Sequence, residues 1–153
     1  VTTGILSAQA DTLNSAIALA FFIPLLIGTG GNTGNQSATL MIRAMATGDI
    51  REGQWLGALV REIVIGILLG VTMGLASWVL GFFKGDFRIA LIVSLAMIAI
   101  VVASSILGVI LPVILQRLRV DPAVASNPLI ASVMDIMGLL IYFSIAQAVL
   151  SAA

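Results

Sequence analysis

The chain has 153 residues, of which 60% are apolar and only 9% are charged, and its mean hydropathy is +1.19. A soluble globular domain is about half apolar and about a quarter charged, so this composition excludes one and indicates an integral membrane protein in a lipid bilayer. Seven basic and seven acidic residues cancel, with no basic cluster to neutralise phosphates, so no nucleic-acid partner is expected.

The sequence contains neither His nor Cys, which removes several chemistries at once. Thiol nucleophiles, Ser-His-Asp triads and the usual zinc, haem and iron–sulfur sites all need one of these residues. The oxygen ligands that remain suit hard cations such as Mg²⁺ and Ca²⁺. With no acid–base couple or nucleophile to name, an enzyme is not expected.

Four stretches of the chain are long enough to cross a membrane, which takes about 20 apolar residues. Residues 12–42, 63–83 and 89–116 contain no charged side chain, and Asp135 is the one charged residue from 122 onward. Residues 1–10 are mildly apolar but too short to cross, so we expect them to be the tail of a helix that begins before Val1. The sequence predicts an all-α polytopic transmembrane helix bundle with four complete spans plus a partial N-terminal helix.

Basic residues near the ends of the spans predict the orientation. Two loops, near 48–56 and 116–122, carry most of them: Arg43, Arg51, Arg61, Arg117 and Arg119. The third loop has Lys84 and Arg88. The positive-inside rule places the first two loops in the cytoplasm and the C-terminus outside, in a multi-pass protein of the plasma (inner) membrane.

The second span carries Gly66, Gly70 and Gly74 at four-residue spacing. Glycines at this spacing clear one helix face, which lets the backbone of a neighbouring helix approach closely. We therefore predict a helix-packing face here.

The first span contains a polar, glycine-rich segment, residues 28–36, at membrane depth. Hydrocarbon cannot solvate this segment, so it must be buried in protein or face water. Pro24, Gly28, Gly31 and Asn35 fall on one helical stripe, which is a candidate pore wall. The segment lacks the Lys-Ser/Thr pair of a phosphate-binding loop. A helix break satisfied by neighbouring helices is the alternative.

Asp135 lies near the middle of the last span, where a carboxylate costs about 2.5 to 3.5 kcal/mol to insert. No basic residue lies at comparable depth, so a salt bridge to Asp135 is not expected. The side chain would then be a protonated acid, part of a proton relay or a cation ligand. Asn127, Ala131 and Asp135 share one helix face. If that face met its copy across a two-fold axis, two Asp135 carboxylates would form a cation-selecting ring wide enough for hydrated Mg²⁺.

Two long motifs resemble a known family. The run PLLIGTGGNTGNQSATLMIRAMATGDI resembles the signature of the MgtE-type magnesium channels, and VDPAVASNPLIASVMDIMGLLIYFSIAQ resembles their last helix. The likeness extends from about residue 13 to the end of the chain. Residues 1–153 are accordingly expected to form an MgtE-type transmembrane domain, without the cytoplasmic N-terminal and CBS domains of the family.

The resemblance implies a homodimeric channel that conducts Mg²⁺, with the pore at the dimer axis. Carried onto this sequence, Asp135 would be the selectivity carboxylate, with Asn127 and Ala131 beside it on the same helix. Glu62 and Asp121 match acidic positions where the family binds further Mg²⁺. Gly28, Gly31 and Asn35 would line the pore from the other helix.

Two other interpretations stay open on the residues alone. A proton-coupled secondary transporter of divalent cations would use Asp135 as its titrating group, since an intramembrane acid is also typical of that class. A scaffold or membrane anchor would use the glycines only for helix packing.

Overall fold

The computed structural model describes residues 2–50, 55–83 and 87–151, and the side chains of 17–50, 55–80, 82–83 and 87–151 within them. These residues form four helices: α1 (Thr2–Ala46), α2 (Trp55–Phe83), α3 (Phe87–Arg117) and α4 (Pro122–Ser151). Each contains a segment long and apolar enough to cross a membrane, so the predicted all-α bundle of four spans is confirmed. Arg51 and Lys84, used above to predict orientation, lie outside the described residues.

Residues 2–16 continue α1 without interruption instead of forming a separate helical element. The polar segment at 28–36 also lies inside α1, so the alternative of a helix break there is wrong. Pro24, Pro112 and Pro128 all lie within helices.

The helix ends follow from local backbone chemistry. After α1 the chain turns at Gly48, whose φ of 78° suits a residue without a Cβ atom. After α3, Arg119 adopts a φ of 60°, and the Val120 amide donates to the Leu115 carbonyl at 2.9 Å. This pattern is the left-handed cap that ends many helices. The helix α4 then begins directly at Pro122.

The helix α3 lies at the centre, and α1, α2 and α4 all pack against it. Its residues Ile92, Val93 and Ile100 are completely buried. The helices α1 and α4 also pack against each other, whereas α2 packs extensively only against α3 among the described residues. The bundle is therefore a central helix with an α1–α4 pair on one side and α2 on another.

The contacts show which way each helix runs. Along α1 and α3, Gly30 meets Ile100 and Gly34 meets Ser104, so both residue numbers rise together and the helices are parallel. Along α2 and α3, Gly66 meets Ser105 and Gly74 meets Ser94, so these two are antiparallel. The alternation is what successive membrane crossings require.

The glycine face predicted on α2 is confirmed. A Cβ atom built on Gly70 would lie 3.1 Å from the Ile98 Cα atom and 3.2 Å from its carbonyl oxygen. One on Gly66 would lie 2.9 Å from the Ser105 hydroxyl. The glycines therefore let α2 lie directly against the α3 backbone.

Candidate functional site

The α1–α4 pair is built by a regular series of contacts. A Cβ atom on Gly34 would meet Ile130, one on Gly30 would meet Met134, and one on Gly138 would meet Ile27. Residue numbers rise along α1 as they fall along α4, so the two helices are antiparallel. At the far end the Tyr142 hydroxyl donates a hydrogen bond of 2.8 Å to the Leu19 carbonyl.

This pairing determines which side chains share the flank of the pair that faces away from α3. In an antiparallel pair, the residue that follows each contact residue turns about 100° to the same side on both helices. On α1 the followers of Ile27, Gly30 and Gly34 are Gly28, Gly31 and Asn35. On α4 the followers of Ile130 and Met134 are Ala131 and Asp135, and Asn127 follows Ser126, which is buried one turn before Ile130. The predicted residues of both helices therefore lie on one flank, here called the α1–α4 flank, which also includes Pro24.

The flank is open in this chain. Pro24, Gly28, Asn127 and Asp135 are exposed, and Gly31, Asn35 and Ala131 are partly exposed. A Cβ atom on Gly28 or Gly31 would meet no atom within 4 Å. The small residues thus leave free space beside the helix pair at membrane depth.

Asp135 is an exposed carboxylate without compensation. No described residue forms an ion pair or a hydrogen bond with it. The basic residues within the described ranges lie near helix ends or in the turn before α4, namely Arg43, Arg61, Arg88, Arg117 and Arg119. Because a bare carboxylate in hydrocarbon is costly, its surroundings must supply water, a proton or a cation.

Asn35 carries a second unsatisfied polar group. Its Oδ1 atom is buried and accepts no hydrogen bond from any described residue. An unpaired buried acceptor loses its hydration without replacement. Asn35 as a whole is only partly exposed, so this oxygen lies beneath the surface of the flank and not on it.

The glycines of α1 divide into two pairs with different neighbours. Gly28 and Gly31 face open space, whereas a Cβ atom on Gly30 or Gly34 would overlap Ile100 or Ser104 of α3. The Ser104 hydroxyl also donates a hydrogen bond to the Gly30 carbonyl. The sequence alone does not separate the two pairs, although the four-residue spacing of Gly30 and Gly34 is the usual sign of helix packing.

Glu62 and Asp121 do not lie on the α1–α4 flank. Glu62 belongs to α2, and its Oε1 atom accepts a hydrogen bond of 2.5 Å from Ser37. Asp121 precedes α4, and its Oδ1 atom accepts a hydrogen bond of 2.9 Å from the Ala123 amide, which makes Asp121 the N-cap of that helix. Within the described residues, no three acidic side chains group together in a way that could hold a metal ion.

The fold and this flank define a class of protein. Four membrane-crossing helices carry a polar, partly glycine-lined flank with one uncompensated carboxylate, and such features are typical of proteins that move ions across membranes. Comparison with known proteins agrees. Residues 23–145 match the family model MgtE, described as a divalent cation transporter, and the chain belongs to this family.

Three curated relatives carry the name magnesium transporter MgtE. The protein from Thermus thermophilus is 43% identical over 152 residues, which cover 99% of this chain and 34% of the relative. The protein from Bacillus subtilis is 33% identical, and the match covers 97% of this chain and 33% of the relative. The protein from Enterococcus faecalis is 31% identical, and the match covers 95% of this chain and 32% of the relative. The chain thus spans about a third of the length of these relatives, which are named as transporters and not as enzymes.

Proposed function

We propose that this chain forms the membrane pore of a Mg²⁺ channel, in which two copies face each other across a two-fold axis through their α1–α4 flanks. The observation that carries the proposal is Asp135, an exposed carboxylate at membrane depth with no described partner. The names of the relatives support Mg²⁺ as the transported ion.

A second copy supplies what one copy lacks. One protomer offers a single carboxylate on the flank, whereas a two-fold axis beside Asp135 brings two together. Mg²⁺ gives up its hydration water reluctantly, so two carboxylates across a wide polar ring suit a hydrated ion better than a closed cage does. Paired acids at close range would repel each other strongly when empty, which favours a divalent cation between them.

The neighbouring residues of the flank have matching roles. Asn127 and Ala131 lie about two turns and one turn before Asp135 on α4 and offer an amide and a small side chain next to the path. Pro24, Gly28, Gly31 and Asn35 line the opposite wall from α1. The glycines leave space for the hydration shell of the ion.

Glu62 and Asp121 are proposed as further Mg²⁺-binding carboxylates at the end of the bundle that holds the α3–α4 turn. In each, one carboxylate oxygen accepts a hydrogen bond from this chain and the other is not engaged by a described donor. We propose that this end is cytoplasmic and that the C-terminus lies outside the plasma membrane, as the positive-inside rule predicts.

The experiment is Mg²⁺ flux into liposomes that contain the purified chain, with a Mg²⁺-sensitive dye inside, under an imposed membrane potential and with or without a pH gradient. A channel gives influx that follows voltage and the Mg²⁺ gradient and ignores the pH gradient. Influx that requires the pH gradient would instead establish a proton-coupled carrier. No influx above empty liposomes would leave a scaffold or anchor and refute transport by this chain.

Asp135→Asn tests the role of the carboxylate directly. The substitution keeps shape and polarity but removes the charge, so we expect the permeability ratio of Mg²⁺ to Na⁺ to fall by at least about tenfold, which corresponds to about 1.4 kcal/mol. The matched control is Asp49→Asn, which removes an exposed acid beyond the end of α1. If Asp135→Asn keeps the Mg²⁺ to Na⁺ permeability ratio of the unmodified chain, Asp135 does not select the ion.

A further inference from the structure

A cavity of about 420 Å³ lies between the ends of α1 and α2, away from the α1–α4 flank. Its apolar lining includes Leu40, Ile65 and Val109. Its charged lining includes Arg43 of α1 and Arg61 of α2. The cavity therefore has both apolar and charged lining, at the level where the spans end.

The charges in the cavity are not equally engaged. Two carboxylates also line it, and each accepts a hydrogen bond from this chain: Asp49 from Thr47 at 2.7 Å and Glu62 from Ser37 at 2.5 Å. Arg43 and Arg61 are exposed and form no ion pair with any residue in the described ranges. The formal charges of the four side chains cancel, and the hydrogen-bond donors without a partner in the described ranges are the two guanidinium groups.

The cavity exists because α2 packs against α3 and not extensively against α1. The Ser37–Glu62 hydrogen bond joins the two helices at one level, and the helices leave space beside it. A phospholipid has the matching chemistry, since its acyl chains suit Leu40 and Ile65 and its phosphate suits a pair of guanidiniums. Basic pockets between transmembrane helices are known to hold anionic lipid headgroups.

We propose that this cavity binds an anionic phospholipid, with its phosphate between Arg43 and Arg61 and its acyl chains against the apolar lining. None of the α1–α4 flank residues lines the cavity, although Glu62, proposed above as a further Mg²⁺ ligand, borders it. Lipid bound here fills the space between α1 and α2 and holds the end of α1 against the bundle.

The test uses native mass spectrometry of the full chain in detergent micelles, with dioleoyl phosphatidylglycerol as the probe. We expect retained lipid adducts, and no comparable retention of dioleoylglycerol, which has the acyl chains without the phosphate. Removing both guanidinium charges with Arg43→Gln plus Arg61→Gln weakens binding by about fivefold for each arginine. The matched control is Arg117→Gln plus Arg119→Gln, which removes two charges outside the cavity and leaves retention unchanged.

Two results would overturn the proposal. The first is equal retention by the Arg43/Arg61 variant and the unmodified chain. The second is displacement of the lipid by soluble glycerol 3-phosphate or inorganic phosphate at equimolar concentration, which would identify a free-phosphate site instead. Ala58→Trp provides an independent arm, because it fills the cavity without removing charge. It must also abolish retention, and a folded Ala58→Trp variant that keeps the lipid contradicts the site.

Discussion

At the scale of single residues, glycine has two different roles in this bundle: it leaves open space at some positions and allows close helix contact at others. Gly28 and Gly31 border open space, whereas Gly34 and Gly108 bring the α1 and α3 backbones together. A Cβ atom on Gly108 would lie 2.6 Å from the Gly34 carbonyl oxygen and 2.6 Å from the Ser37 Cβ atom. Glycine content alone therefore says little about function, and the neighbour of each glycine decides its role.

We predict that Gly108→Ala destabilises the bundle by about 1 to 3 kcal/mol, because the new methyl group forces α1 and α3 apart. Gly28→Ala is the matched control, since its methyl group meets no atom within 4 Å and alanine is the better helix former. Unfolding of the purified chain in mixed micelles, followed by circular dichroism, measures both. Equal midpoints for the two variants would contradict the close α1–α3 contact.

A second residue-scale prediction separates two roles of Asp121. As the N-cap of α4, this side chain accepts a hydrogen bond from the Ala123 amide. Asp121→Ala removes the cap and costs about 1 kcal/mol of stability, whereas Asp121→Asn keeps a capping oxygen and removes only the charge.

The unfolding midpoint and the Mg²⁺ affinity of the two Asp121 variants are measured together. If Asp121 binds Mg²⁺ as proposed, Asp121→Asn loses affinity without losing stability. An asparagine variant with full affinity and full stability would reduce Asp121 to a helix cap.

At the scale of helices, α2 depends on a single partner. It packs extensively only against α3 within the described part of the chain, and the stripe of Gly66, Gly70 and Gly74 makes that contact. In a membrane the association of helices depends on such close packing, because lipid tails are as apolar as the side chains they replace. The attachment of α2 is therefore sensitive to one added side chain.

We expect Gly70→Leu to loosen α2 and to cost about 1 to 3 kcal/mol, because a side chain there overlaps the Ile98 backbone. Ala76→Leu on the same helix serves as the control, since Ala76 is exposed and does not line the cavity between α1 and α2. The rate of limited proteolysis between α1 and α2 and the unfolding midpoint report the change. A Gly70→Leu variant as resistant as the control would show that α2 does not need its glycines.

At the scale of the whole molecule, the central question is whether water reaches the α1–α4 flank. The chain has no cysteine of its own, so a single introduced one reports its own surroundings. Gly28 lies on the proposed path, and Leu68 of α2 is an exposed apolar residue on the outside of the bundle, 65% exposed.

We predict that Gly28→Cys in liposomes reacts with a membrane-impermeant, charged thiol reagent, and that Leu68→Cys does not, because thiols react as hydrated thiolates. Mg²⁺ influx through the Gly28→Cys protein falls after modification. A Gly28→Cys protein that is as unreactive as Leu68→Cys would mean that the flank faces lipid, and the two-fold pore would be wrong.

The sequence was sufficient for the class of fold because hydrocarbon permits few structures. Only closed hydrogen-bonded elements can cross it, so counting uncharged stretches was enough to predict four helical spans. The same constraint identified the polar stripe of α1 and Asp135 of α4, because polar groups in hydrocarbon are costly unless protein, water or an ion binds them. The periodicity of a helix was enough to place Asn127, Ala131 and Asp135 on one face.

Residue patterns alone left open which helices meet. The family resemblance implied a pore lined from both helices, but only the tertiary structure shows their contact. The antiparallel contact between α1 and α4 puts both polar stripes on the same flank, a relation between residues about a hundred positions apart that no local pattern contains. The structure also assigned Gly30 and Gly34 to packing, joined Glu62 to Ser37 and showed a cavity between α1 and α2 that two arginines and two carboxylates line. The composition of each span is enough to predict a helix, because each span must satisfy its own backbone in hydrocarbon. Which helices pair depends on the fit between two surfaces, and that fit is a property of the tertiary structure.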